Sequence, residues 1–147
     1  MLEIFCDGGA SPNPGHGGIG FLIKRNDKII IDGYQYLGDK ITNNQAEFSA
    51  IINSLGCVRS ELPEEKKVVI YSDSNLVVKS SDSTPLSERF VIKEEILKTF
   101  LGLLQRIVSK FDEVIVKKID REENKLADKL SQIARETKRS KIIRYAL

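Results

Sequence analysis

Val68-Val69-Ile70-Tyr71 is the stretch that most restricts how this chain can fold. Four apolar residues in a row leave no polar face, as in a strand covered on both sides. Helix-like segments stand before and after it, so it reaches its neighbour through crossovers and must pair in parallel. Val114 to Ile119 repeats the arrangement near the other end of the chain. The N-terminal third reads differently. Leu2 to Cys6, Ile19 to Lys24 and Lys28 to Tyr36 are separated by short turns, with Asn26-Asp27 as the tightest, and strands joined so closely pair antiparallel.

Helical spacing fills the gaps. Thr42 or Asn43 caps a helix running to about Arg59, in which Ala46, Ala50, Ile51, Ser54 and Leu55 recur. Asn75 to Lys79 reads as a short helix broken before Pro85. Ser87 to Lys110 reads as a long amphipathic one carrying Val91, Ile92, Ile96, Phe100, Leu103, Leu104 and Ile107. A loop from Asp120 to Glu123 leads to a last helix from Asn124 to about Lys138, with Leu126, Leu130 and Ile133 facing inward. The predicted fold is therefore α/β: a five-stranded mixed sheet, made of a three-stranded antiparallel meander plus two parallel strands, flanked by helices. Residues 1–136 form the expected domain. Residues 137–147 form a basic and apolar tail, which either packs on the domain or contacts phosphates.

With 147 residues, 41% of them apolar and 30% charged, the chain can bury a core unaided. No apolar run approaches the roughly 18 residues of a membrane span. The N-terminus lacks a basic region ahead of an apolar stretch, and a cytoplasmic monomer with no membrane contact is expected. Cys6 and Cys57 have no metal-ligand spacing and read as small buried apolar residues. A net charge of +2 does not by itself announce a nucleic-acid partner.

The carboxylates say more. Asp7 ends the first strand, ahead of Gly8-Gly9, and Asp73 follows the fourth. If those strands are neighbours, both acids stand at the carboxyl edge of the sheet, where open sheets place their sites. Glu47 and Asp128 each lie about one turn into a helix, where a lone acid is favoured by the helix dipole. Gathered together, four hard oxygen ligands without His or Cys call for a cation such as Mg²⁺ or Mn²⁺ rather than zinc. Two such ions roughly 3.5–4 Å apart would suit displacement at a phosphodiester.

Asp7-Gly8-Gly9 with Asn13-Pro14-Gly15, Thr42-Asn43-Asn44-Gln45-Ala46-Glu47, Tyr71-Ser72-Asp73-Ser74, and Arg121-Glu122-Glu123-Asn124 with Ala127-Asp128 closely resemble type 1 ribonuclease H. The resemblance covers residues 1 to roughly 136. It implies that Asp7, Glu47, Asp73 and Asp128 hold two Mg²⁺ ions, with Mn²⁺ as a substitute, for endonucleolytic hydrolysis of the RNA strand of an RNA–DNA hybrid. It further implies that Asp7 bridges both ions and that Glu47 senses a ribose 2′-hydroxyl. Gly8, Asn13, Asn43, Asn44, Ser74, Asn75 and Arg121 are the substrate-binding candidates it marks. The asparagines serve equally well as turn and cap residues.

The chain departs from the family pattern twice. Many bacterial members carry a His in the loop before the last helix, whereas this loop offers Lys118 and Arg121. An arginine stays charged and can hold phosphate without shuttling a proton. The lone His16 reads as a solvated loop residue. The basic handle inserted in some relatives is also missing, since Ser80 to Ser87 is short and polar. Lys24, Arg25, Lys79, Arg89, Lys93 or the tail would then have to supply affinity. Double-stranded RNA is a second candidate substrate, and a catalytically silent hybrid-binding or double-stranded RNA-binding module on the same fold is the alternative function.

Overall fold

The computed structural model describes residues 1–76 and 95–145. Three antiparallel strands come first: β1 (Leu2–Ser11), β2 (Gly15–Arg25) and β3 (Lys28–Ile41). Asn26 and Asp27 both take positive φ, 52° and 62°, as a two-residue hairpin turn between twisted strands requires. Helix α1 (Asn43–Glu61) follows, then β4 (Lys67–Ser72), α2 (Glu95–Val108), β5 (Glu113–Lys118), a 3-10 turn (Arg121–Asn124), α3 (Lys125–Thr137) and β6 (Lys141–Arg144). The sheet order is β5-β4-β1-β2-β3-β6, with β4 parallel to both β1 and β5 and the other pairings antiparallel.

The sheet thus has six strands where the sequence predicted five. Lys141 to Arg144 pairs with Tyr34 to Ile31 of β3. Ile142 is exposed and the run is flanked by basic residues, so it carries none of the alternation that marks a half-buried strand. The meander strands also run longer than expected. β1 continues past Asp7 to Ser11 because Gly8 to Ser11 pair with Ile19 to His16. Of the predicted short helix, Asn75 and Leu76 form a turn, and residues 77–79 lie outside the described residues. So do 87–94, the start of the predicted long helix, and with them Val91 and Ile92 and the cations Lys79, Arg89 and Lys93.

Helix α1 begins at a capping box. Thr42 Oγ1 accepts from Gln45 N at 3.1 Å, and Gln45 Oε1 accepts from Thr42 N at 3.1 Å. It buries Phe48, Ile51, Leu55 and Val58 in one core with Leu2, Ile4 and Cys6 of β1. Helix α2 closes that core with Leu97 and Leu104, and Phe100 meets Phe48 with ring centroids 6.4 Å apart. Both cysteines are buried free thiols, as expected.

Helix α3 lies on the opposite face, and its inward side is not the one predicted. Leu126 is 57% exposed and Leu130 and Ile133 are half-buried, whereas Ala127, Ser131 and Ala134 are buried. The cause is the strand beneath. A Cβ on Gly20 would stand 2.4 Å from Ala127 O, and one on Gly18 would stand 2.7 Å from Ser131 O. Helix backbone rests almost directly on strand backbone, so only small side chains fit between.

Candidate active site

Asp7 owes its position to where strand pairing stops. The β1–β4 ladder ends at Phe5↔Tyr71, while β1 continues alongside β2. Cys6 and Asp7 therefore run past the last β4 partner, and Asp73 leaves the end of β4 beside them. Asp7 shares a face with its partner Gly20, the face on which α3 sits, and so Asp128 comes down beside it from the first turn of α3. Glu47 arrives from the other face on α1. There Gly8 lets the helix approach, because a Cβ at that position would stand 2.2 Å from Ala46 O.

The four carboxylates line one cleft of about 560 Å³, together with Gly8, Gly9, Asn43, Asn75, Lys118, Arg121, Gln132 and Arg135. The acid at its centre is strongly perturbed. Burial, and then the neighbouring Asp73 and Asp128, push the Asp7 carboxyl up to about 8. Its carboxyl lies within hydrogen-bonding reach of both. Ionised carboxylates only accept hydrogen bonds, so such contacts need a shared proton or a cation between the oxygens. Glu47 is also raised, chiefly by burial and further by Asp73, while Ser74 and Lys118 pull it down. Among the described residues, no three His, Cys, Asp or Glu side chains already converge in metal-holding geometry.

Each outer carboxylate is held by a neighbour. Ser74 Oγ donates to Glu47 Oε2 at 2.8 Å, and its own position is fixed by Leu76 N donating to the same hydroxyl at 3.0 Å. Asn124, only 2% exposed, donates through Nδ2 to Cys6 O at 2.8 Å and to Asp73 Oδ1 at 3.4 Å, tying β1 to the end of β4. Gln132 Nε2 donates to Asp128 Oδ2 at 3.1 Å, one turn further along α3.

The RNase H family profile matches residues 1–136 of the chain. This chain belongs to the RNase H family. It is 31% identical to ribonuclease H of Thermoanaerobacter sp. (strain X514) over 163 aligned positions, spanning 95% of this chain and 94% of that protein. With ribonuclease H of Haemophilus influenzae (strain 86-028NP) it shares 40% identity over 76 residues, 50% of this chain but 44% of the relative's length. Among solved structures, LC11-RNase H1 in complex with an RNA/DNA hybrid superposes with a TM-score of 0.82 at 27% identity, covering 94% of this chain and 99% of that one.

Set on this RNase H fold, the substrate-binding candidates do several jobs. Asn13 Oδ1 accepts from Asn43 N at 3.0 Å, and Asn43 Oδ1 accepts from Ala10 N at 2.8 Å, so both asparagines brace the β1–β2 turn against the start of α1. Of the pair, Asn43 lines the cleft. Asn44 is half-buried in the first turn of α1, outside the cleft lining. Asn75 lines the cleft and accepts from Lys118 Nζ at 3.1 Å. Arg121 lines it from the 3-10 turn after β5. Ser74 is buried and works through Glu47. The absent side chain of Gly8 serves α1, while its backbone faces the cleft. His16 is half-buried in β2 rather than solvated, with Nδ1 2.7 Å from Tyr36 Oη, and it lies outside the cleft lining. Sequence reasoning missed Gln132 and Arg135 as cleft residues and gave Asn124 no role of its own. Helical spacing of four and seven from Asp128 was the available signal for the first two.

Proposed function

We propose that this chain is a metal-dependent endonuclease that hydrolyses the RNA strand of RNA–DNA hybrids. The observation that carries the proposal is the single cleft lined by Asp7, Glu47, Asp73 and Asp128 at the end of the β1–β4 pairing, where burial and the neighbouring acids push Asp7 up to about 8. An all-oxygen donor set that must otherwise share a proton fits a hard divalent cation. Asp7, Glu47, Asp73 and Asp128 would hold two Mg²⁺ ions, or Mn²⁺ in their place, turning towards a common point to do so. Ions bound there supply charge neutralisation at the phosphodiester and a more acidic water.

The chain's own groups do the rest. Ser74, Asn124 and Gln132 orient Glu47, Asp73 and Asp128. Lys118 and Arg121 present fixed positive charge on the β5 side of the carboxylates, where Arg121 holds phosphate or departing product. Glu47, half-buried on the rim, is the group placed to sense a ribose 2′-hydroxyl, which distinguishes RNA from DNA. Asn43 and Asn75 add cleft-lining amides that can meet the hybrid. With His16 outside the cleft, the pH–rate profile should lack a limb near the unperturbed His value of about 6.5. The described residues include no helix long and apolar enough to cross a membrane.

The test is incubation of the chain with labelled RNA–DNA hybrid, double-stranded RNA and double-stranded DNA, each with Mg²⁺, Mn²⁺ or chelator, beside Asp7→Asn. Cleavage of the hybrid's RNA strand by wild type with metal, and by neither protein with chelator, is the expected outcome. If wild type and Asp7→Asn leave the hybrid equally intact, the enzyme reading fails and a silent binding module takes its place.

A further inference from the structure

Three cationic side chains line the cleft: Lys118, Arg121 and Arg135. Lys118 ends β5 and Arg121 stands in the turn after it, on the far side of Asp73 in the strand order. Arg135 comes from the opposite side. It stands on α3 seven residues beyond Asp128, two helical turns or about 10 Å along the axis, above Gly18 of β2 and Gly9 of β1. Its guanidinium packs against bare backbone at Gly9. A Cβ on Gly9 would be 2.6 Å from Nη1 and 3.8 Å from Asn43 Oδ1, while one on Gly18 would be 3.0 Å from Arg135 Cγ.

Among the described residues, no acid takes up this charge. Asp128, the acid nearest along the helix, already takes its bond from Gln132. The ion pairs Arg25–Glu65, Lys125–Glu122 and Arg144–Glu61 do not involve Arg135. A half-buried guanidinium with its stem packed on glycine, no acid partner and an open cleft in front of it is pre-positioned for an external anion. At the β5 end Lys118 and Arg121 flank the acid Asp120, whereas at the β2 end Arg135 is the cation lining the cleft, with the four carboxylates between. A polyanionic strand lying along such a cleft would meet the carboxylates at one linkage and a cation on either side.

We propose that Arg135 holds a backbone phosphate of the RNA strand beside the cleaved linkage, on the β2 side of the carboxylates. The proposal rests on the hybrid-cleaving reading above. It also gives Gly9 a purpose, since any larger residue there would push the guanidinium out of the cleft without touching the core.

Steady-state hydrolysis of a short hybrid by Arg135→Gln, measured across a salt series, tests it. KM should rise roughly tenfold with kcat within about twofold, and the slope of log KM against log salt should flatten by about one. Arg135→Lys should restore the slope but only part of the KM, because a point charge cannot grip phosphate bidentately. Gly9→Ala should shift KM in the same direction and add little to Arg135→Gln. Hybrid binding followed by fluorescence anisotropy in chelator, comparing Asp7→Asn with Asp7→Asn/Arg135→Gln, gives a readout free of catalysis, and roughly tenfold weakening is expected. Unchanged KM, salt slope and anisotropy in an Arg135→Gln protein of normal melting temperature would overturn the proposal while leaving the ribonuclease reading intact. If wild type leaves the hybrid uncut, the ribonuclease reading falls, and the anisotropy pair still decides whether Arg135 holds phosphate.

Discussion

Helices α1 and α3 press on opposite faces of β1 and β2, and each brings a carboxylate to Asp7, but they dock in different ways. Helix α1 rests on a layer of side chains: Phe48, Ile51, Leu55 and Val58 fill the space above Leu2, Ile4 and Cys6. Its backbone approaches the strand closely at Gly8, next to Glu47. Helix α3 has no such layer over Gly18 and Gly20, where Ala127 and Ser131 put helix backbone against strand backbone. Side chains can change rotamer and repack, so a docking built on them yields locally when disturbed. Backbone against backbone cannot yield. The height of Asp128 over Asp7 is therefore set by missing atoms, whereas most of α1 is held by atoms that are present.

The largest test of this contrast is a pair of substitutions that damage the two dockings in opposite senses. Gly20→Val places a branched side chain where even a Cβ would be 2.4 Å from Ala127 O and 2.5 Å from Ser131 N. Helix α3 must lift, at a cost of about 3 kcal/mol or more, with hybrid cleavage falling at least 100-fold as Asp128 moves. Leu55→Ala, in the middle of α1, should cost about 2–5 kcal/mol through the cavity it leaves. Its kcat, measured at a temperature where it is folded, should stay within a few-fold of wild type. Equal losses of kcat in the two proteins, at matched fractions folded, would erase the distinction.

Smaller but more diagnostic is the pH dependence of stability in Asp7→Asn. The Asp7 carboxyl titrates near 3.8 when unfolded and near 8 when folded, so the folded state holds the proton more tightly. Its contribution to stability is complete below about 4 and is lost as pH rises towards 8. Asparagine escapes that loss. In chelator, Asp7→Asn should melt about 5–10 °C above wild type at pH 8, and the gap should close near pH 4. A gap independent of pH would mean that packing rather than charge separates the two proteins. The same linkage predicts that wild type binds Mg²⁺ or Mn²⁺ more tightly at pH 8 than at pH 6, with proton release.

The smallest expected effect sharpens the comparison from the α1 side. Gly56 lies within α1, and a Cβ added there would meet nothing within 4 Å, unlike one at Gly18 or Gly20. Gly56→Ala should stabilise by about 0.5–1 kcal/mol, raising the melting temperature by roughly 2–4 °C without changing kcat.

Much of this was legible in the chain. Val68 to Tyr71 is apolar without interruption and became a strand, with Val68 and Ile70 in the core and Tyr71 half-buried against Phe5 on the other face. Asn26-Asp27 specified its hairpin, and Thr42 with Gln45 specified the start of α1. Other features were not legible, for reasons visible in particular residues. Ile142 and Ile143 form an edge strand against β3, and an edge half open to solvent needs no alternating pattern. Leu126, Leu130 and Ile133 looked like the inward stripe of α3 because periodicity reports apolar character, whereas Gly18 and Gly20 select for small volume. The asparagines read equally as substrate contacts or as turn and cap residues, and the sequence could not show that Asn13 and Asn43 use their carboxamide oxygens on backbone N–H groups across the β1–β2 turn.

For the site, the sequence by itself determined which chemistry was available: four carboxylates, Asp7 and Asp73 on or just past apolar strand runs and Glu47 and Asp128 about one turn into helices, with no His or Cys among them. Local patterns suffice for that, because strand ends and helix caps are short-range features. Only the tertiary structure decided that these acids line one cleft, that Asp7 lies beside Asp73 and Asp128 with its proton affinity raised, and that Arg135 faces the cleft from two turns away. Those outcomes depend on where β4 stops pairing with β1 and on how closely α3 can approach a strand of glycines. Both are set by contacts between residues far apart in the chain.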